Sequence, residues 1–162
     1  MAKKLSVSKS NNQQHSIIGL SCLANDYRLL FFVSNQLGIS FNKLPDLPFY
    51  GKKDKLGEFS FYHFLDDEKH LNYYFFSNKK DGQIAIPAYK NFDYFLLIGE
   101  KKDVKLQRDL LSKLRSIPVL QAAMDIPLSS LKDLDLLLED IELHLIDVRK
   151  TRKPKSELWV KS

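Results

Sequence analysis

The stretch QIAIPAYKNFDYFLLIGE, Gln83–Glu100, decides the fold. Its centre is Tyr94-Phe95-Leu96-Leu97-Ile98, the densest apolar run in the chain. The run is entered through Pro87 and the Asp93-Tyr94 pair. Gly99 and the charges of Glu100-Lys101-Lys102-Asp103 close it. Five consecutive aromatic or aliphatic residues halted at a glycine read as a strand with no polar face. Such a strand needs cover on both sides, so the remainder of the chain is expected to pack around it.

Upstream of this strand, Asn78–Gly82 (NKKDG) ends in Asp-Gly, a tight-turn signal, and Ile84–Ile86 reads as a short strand stopped at Pro87. Leu71–Ser77 and Glu58–Leu65 read as a hairpin. Along the latter, Phe59, Phe61, His63 and Leu65 point one way and Ser60, Tyr62 and Phe64 the other. A strand is expected at Ile39–Leu44, broken by Pro45, Pro48 and Gly51, with Lys52-Lys53-Asp54-Lys55 as an exposed loop. Ser16–Leu23 is a strand. Asn25 caps a helix over Asp26–Leu37, with Gly38 at its C′ position. In that helix Tyr27, Leu30, Phe31, Ser34 and Leu37 share one side. Leu29, Phe32 and Val33 widen it, leaving Arg28, Asn35 and Gln36 for water.

Downstream, Asp103 caps a helix reaching about Ser116, with Leu106, Leu110, Leu114 and Ile117 on its apolar face. Pro118 ends it. Val119–Ile126 reads as a strand with Leu120, Ala122, Met124 and Ile126 on one face. Ser129 or Ser130 caps a last helix whose stripe is Leu131, Leu134, Leu138, Ile141 and Leu145, with Leu137 beside it. The expected fold is a single α+β domain over residues 16–148: an antiparallel or mixed sheet of five to six strands packed by three helices. A flexible N-terminal tail, 1–15, and a basic, loosely held C-terminal tail, 149–162, flank it.

The chain's 162 residues suit one domain, and 44% hydrophobic with 28% charged residues mark it as globular. A single cysteine cannot form an internal disulfide and suits a reducing compartment. No apolar run approaches the length of a membrane span, and no apolar segment follows the early lysines, so a cytoplasmic protein is expected. The net charge of +5 is uneven. Subtracting the +3 of residues 1–15 and the +5 of residues 149–162 leaves the body at −3. The basicity therefore lies in the tails.

Ile86-Pro87-Ala88-Tyr89-Lys90-Asn91-Phe92-Asp93-Tyr94 resembles the signature of the IPExxxVDY family of small bacterial proteins. A second landmark, Ile18-Gly19 followed by Asp26-Tyr27-Arg28-Leu29, is similar to that family's Asp-Tyr-Arg-Leu segment. The resemblance spans residues 15–145. Two positions depart from it: Ala88 stands where the motif has Glu, and Phe92 where it has Val. Phe92 keeps an apolar anchor, whereas Ala88 removes the one motif side chain able to act as an acid. The resemblance implies no activity.

Several groups invite a chemical reading. Asp26, Tyr27, Arg28, Asp93 and Tyr94 form two Asp-Tyr pairs that could flank a pocket. The structural alternative, which is preferred, has Asp26 favouring a helix dipole and Asp93 accepting backbone N–H bonds, with an Arg28–Asp93 ion pair between them. His63, Asp66, Asp67, Glu68 and His70 make a metal-like cluster without a known zinc spacing, better read as an acidic turn. Cys22 lies in an apolar strand and reads as a buried small hydrophobe. Tyr62, Tyr73, Phe75 and Phe59 could stack on bases if exposed, but apolar strands of this kind more often face a core. The C-terminal Arg149, Lys150, Arg152, Lys153 and Lys155, with Trp159, suit an acidic partner. The expectation is a non-enzymatic module that binds another macromolecule, a protein, with no cofactor, metal or membrane. The alternative is an RNA-binding accessory protein using basic tails and sheet aromatics.

Overall fold

A computed structural model of the chain describes residues 15–50, 57–99 and 103–161, with side chains as far as residue 150. The expected N-terminal tail up to residue 14, the loop at Lys52-Lys53-Asp54-Lys55 and the side chains of Arg152, Lys153, Lys155 and Trp159 lie outside the described residues. The chain runs β1 (Ser16–Cys22), α1 (Asp26–Leu37), β2 (Asn42–Phe49), β3 (Gly57–Asp66) and β4 (Leu71–Ser77). Two short strands follow, β5 (Lys79–Lys80) and β6 (Gln83–Ile84), then a 3-10 turn at Pro87–Tyr89. The rest is β7 (Tyr94–Gly99), α2 (Val104–Arg115), β8 (Leu120–Ile126) and α3 (Leu134–Lys161).

Six strands form one sheet in the order β2-β3-β4-β7-β1-β8, every pair antiparallel, and β5-β6 form a separate ribbon. The fold is α+β. β7 lies inside the sheet, and all six of its residues are buried. Alternation sends Phe95 and Leu97 to one face and Tyr94, Leu96 and Ile98 to the other. Each fully buried side chain of this size contributes about 1.5–3 kcal/mol. α1 and α2 cover the second face through Leu29, Leu30, Val33, Leu110 and Leu114. α3 covers the first through Leu134, Leu137, Ile141 and Val148.

Local chemistry explains most boundaries. Asn25 Oδ1 accepts the Arg28 N–H at 2.9 Å and opens α1, and Gly38 closes it at φ 70°. The β5-β6 turn has Asp81 and Gly82 both at positive φ, the backbone that Asp-Gly favours. Three details differ from the sequence reading. β2 does not stop at Pro45 but runs through both prolines to Phe49, because it is an edge strand with a register shift between Leu44 and Leu47. α1 turns Leu29, Leu30 and Val33 inward and leaves Tyr27 and Phe31 71% and 63% exposed. α3 buries Leu134, Leu137, Ile141, His144 and Val148, with Leu131, Leu138 and Leu145 flanking that line.

The backbone of α3 continues beyond Val148 to Lys161 and passes through Pro154, which cannot donate the helical N–H bond. Both sheet edges are guarded. Pro45 and Pro48 interrupt β2, and Arg115 Nε donates to the Ala123 carbonyl of β8 at 3.0 Å. Among the described residues no helix is long and apolar enough to cross a membrane.

Candidate functional site

The motif segment between β6 and β7 is held by one side chain. Asn78, fully buried at the end of β4, accepts the Ile86 N–H on Oδ1 at 2.7 Å. Its Nδ2 donates to the Tyr89 and Phe92 carbonyls at 3.0 and 2.9 Å. Its backbone N–H donates to the Asp93 carbonyl, and its carbonyl accepts from Ala85, both at 2.8 Å. Every strong donor and acceptor of the amide is therefore used, as burial demands. Pro87 occupies the first position of the 3-10 turn, where its missing N–H costs nothing. Ile86 is buried, whereas Pro87 and Ala88 are exposed. The sequence reading passed over Asn78 as a turn residue, because its partners lie along a loop that only tertiary structure brings to it.

Asp93 and Tyr94 pin β7 to the β1–α1 junction. Asp93 Oδ2 accepts the Cys22 N–H at 2.8 Å, and Oδ1 pairs with Lys79 Nζ at 3.2 Å. Its expected partner Arg28 is instead exposed on α1. The Tyr94 hydroxyl donates to the Ala24 carbonyl at 2.8 Å, and burial, reinforced by Asp26, pushes its pKa well above the usual phenol value. Asp26 accepts its neighbour's N–H from Tyr27 at 2.8 Å and the Tyr62 hydroxyl at 2.9 Å. Burial alone would raise the Asp26 carboxyl. Hydrogen bonds from Tyr27, Tyr62 and Ser60, with Lys43 nearby, outweigh it and hold the carboxyl below its ordinary value. The two Asp-Tyr pairs thus meet at one end of the sheet, with Asp26, Asp93 and Tyr94 tied to backbone or neighbouring side chains.

The other chemical candidates are similarly engaged. The buried Cys22 thiol donates to the Val119 carbonyl at 3.3 Å, and burial pushes its pKa up, away from thiolate chemistry. His63 Nε2 is 2.7 Å from Asn72 Oδ1, with its ring stacked on Tyr74. Asp66 accepts the Lys69 N–H within the turn at 3.1 Å. Among the described residues no group of three His, Cys, Asp or Glu side chains is placed to hold a metal ion. Phe59, Tyr73 and Phe75 are core residues, and the half-buried Tyr62 is committed to Asp26.

Two surface features remain. The first is a cleft of about 410 Å³ between the motif segment and the start of α3. Phe49, Ile86, Pro87, Ala88, Leu131 and Leu134 supply most of its wall, with Ser130, Lys132 and Asp133 at hand. Ala88 is part of that wall. No signal in the sequence joins these segments, which are some forty residues apart. The second is a ridge on α1. Tyr27 and Phe31, one turn apart, are 71% and 63% exposed, with exposed Arg28 beside Tyr27, and Leu23, 87% exposed, lies just ahead of the N-cap Asn25. Cleft and ridge lie on opposite faces of the sheet. Arg149 and Lys150 are exposed near the point where α3 leaves the core. No protein-family model, curated protein or solved structure matches the chain.

Proposed function

We propose that this domain is a non-enzymatic cytoplasmic binding module whose partner is another protein, docking on α1. The observation that carries this reading is the exposed pair Tyr27 and Phe31 on α1, with Arg28 alongside and exposed Leu23 just ahead of the helix. Large apolar side chains at helical spacing are the anchors by which a helix enters a partner's groove. Tyr and Arg are the residue types that most often dominate interface energy. Folding does not account for these exposures, since the inward face of α1 is complete without them. Catalysis gains no support from the nearby polar groups. Cys22 is protonated and buried, while Asp26 and Asp93 are used in tying segments together.

Membership of the IPExxxVDY family belongs to the same reading. It is supported by the meeting of the two landmark segments: Gly19 lies under Phe92, Cys22 donates to Asp93, and Ala24 accepts from Tyr94. The test is a capture experiment on native cytoplasm with the wild-type chain and the Tyr27→Ala/Phe31→Ala variant, each with and without nuclease. A protein retained after nuclease and lost with the variant supports the reading. Capture that nuclease abolishes would move the function to RNA, through the basic C-terminal segment. A partner indifferent to both substitutions would remove α1 from the account.

A further inference from the structure

The cleft at Ile86–Ala88 has an apolar lining and walls that the fold already holds. Phe49, Ile86, Leu134 and Leu137, all core residues, make its floor. Pro87 and Ala88 stand on one side and Leu131 on the other. Asn78 fixes the motif side through the Ile86 N–H and the Tyr89 carbonyl. The opposite side begins at a 3-10 turn, Leu128–Ser130, where the Ser130 hydroxyl donates to the Pro127 carbonyl at 2.6 Å. Tyr89 joins the two sides, its hydroxyl 2.5 Å from Ser130 Oγ. Neither wall has to be ordered by a ligand, which lowers the cost of filling the space between them. A volume of about 410 Å³ lies at the lower end of the range of small-molecule sites, roughly 300–1,000 Å³.

Burial of the core explains the apolar floor but not the charges at the rim. Lys132 and Asp133 are neighbours in sequence, both exposed and both part of the lining. Among the described residues neither side chain has an ion-pair or hydrogen-bond partner, and the two do not pair with each other. One cation and one anion side by side at an apolar cleft complement a ligand with both charges on one carbon and an apolar body. A monoanion would meet Asp133 unfavourably, and a monocation Lys132. A peptide carries its two termini apart and would bring only one charge to the rim.

We infer that the cleft binds a free α-amino acid with a large apolar side chain. Its carboxylate meets Lys132, its ammonium meets Asp133, and its side chain lies against Ile86, Leu131 and Leu134. The site is on the face of the sheet opposite α1, so it stands or falls apart from the partner proposed there. A ligand of roughly a dozen heavy atoms sets the expected dissociation constant at about 0.1–1 mM.

Titration of the full chain with L-phenylalanine, followed by backbone amide chemical shifts, tests the inference. Thermal melting of every variant is the control for folding. Saturable shifts are expected at the amides of Ala88, Leu131 and Leu134. 3-Phenylpropionate, which lacks the ammonium, and 2-phenylethylamine, which lacks the carboxylate, should each bind about tenfold more weakly. Lys132→Gln/Asp133→Asn should erase that preference for the zwitterion. Ala88→Phe, at an exposed position, should fill the cleft and abolish binding with the melting temperature unchanged. Absence of saturable shifts up to about 10 mM L-phenylalanine overturns the inference. Shifts that saturate away from the cleft, or that survive Ala88→Phe, overturn the site. A singly charged analogue that binds as tightly as L-phenylalanine overturns the ligand class.

Discussion

The ring of Phe92 rests on Gly19 so closely that a Cβ at residue 19 would stand 2.9 Å from its Cγ. A strand of the sheet and the motif loop are thereby fitted face to face, with glycine as the condition of the fit. Gly19→Ala should destabilise the domain by about 1–3 kcal/mol through overpacking, read by urea denaturation. Shrinking the ring should relieve the clash, so Gly19→Ala/Phe92→Val should cost less than the sum of its two single substitutions. Strict additivity would mean that the loop moves aside without strain.

Asn78→Ala should be among the most damaging single substitutions. It strands the Ile86 N–H and the Phe92 carbonyl, at about 1–3 kcal/mol for each group left buried and unpaired, while the Tyr89 carbonyl keeps the Phe92 N–H. Asn78→Asp keeps the acceptor for Ile86 but turns carboxylate oxygen toward two carbonyls, so it should rescue little. Hydrogen exchange at the Ile86 amide is the local readout. Protection that survives Asn78→Ala would show that the loop is held by its apolar contacts instead.

Asp26 gives a pH dependence of definite sign. Its folded carboxyl titrates below the ordinary value, so the folded state stabilises the ionised form. That contribution is present above the unfolded pKa of about 3.9 and disappears as pH falls through the folded value. Wild type and Asp26→Asn should therefore differ in unfolding free energy at neutral pH and converge in acid. Tyr62→Phe should reduce the difference by removing the hydroxyl donor. A gap that widens on acidification would contradict the assignment.

Asp93→Ala should lower stability by about 1–3 kcal/mol, because it removes the acceptor of the Cys22 N–H as well as the partner of Lys79. Differential scanning calorimetry would read the loss. An unchanged melting temperature together with loss of partner binding would make Asp93 a contact residue instead of a tie between β1 and β7.

Cys22 should be silent toward a soluble disulfide reagent in the native protein and react fully after denaturation. The residue is 3% exposed, and its thiol donates to a carbonyl and has a raised pKa. Rapid stoichiometric labelling at neutral pH without unfolding would expose an opening motion of the β1–α1 junction.

What the sequence discloses follows from where each constraint is stored. β7 was legible because a strand buried on both faces is apolar at every position, whatever its neighbours. The ends of α1 were legible because Asn25 and Gly38 act within one turn. The inward face of α1 was not. Leu29, Leu30, Phe31, Phe32 and Val33 are consecutive, so helical periodicity admits more than one rotation, and the sheet chose Leu29, Leu30 and Val33. The same ambiguity concealed Tyr27 and Phe31 as surface residues. β8 hid a bulge. Leu120 pairs with Cys22 past an irregular step, which carries it to the opposite side of the sheet from Ile126. Asn78 and the cleft at Ile86–Ala88 depend on contacts distant in sequence and left no local mark.

The place of β1 in the sheet governs the order in which the molecule can assemble. β2, β3 and β4 form a meander of consecutive hairpins and can close as soon as each turn is made. β1 is different: Ser16 pairs with Ile98, and Ile17 with both Leu97 and Ile126. The segment Ser16–Cys22 is made before the other strands of the sheet yet has no strand to join until β7 has followed it, and its outer neighbour arrives later still. During synthesis it is an unpaired apolar strand of the kind that aggregates or recruits chaperones. Its capture between β7 and β8 closes the longest loops in the fold and is the step expected to limit the folding rate.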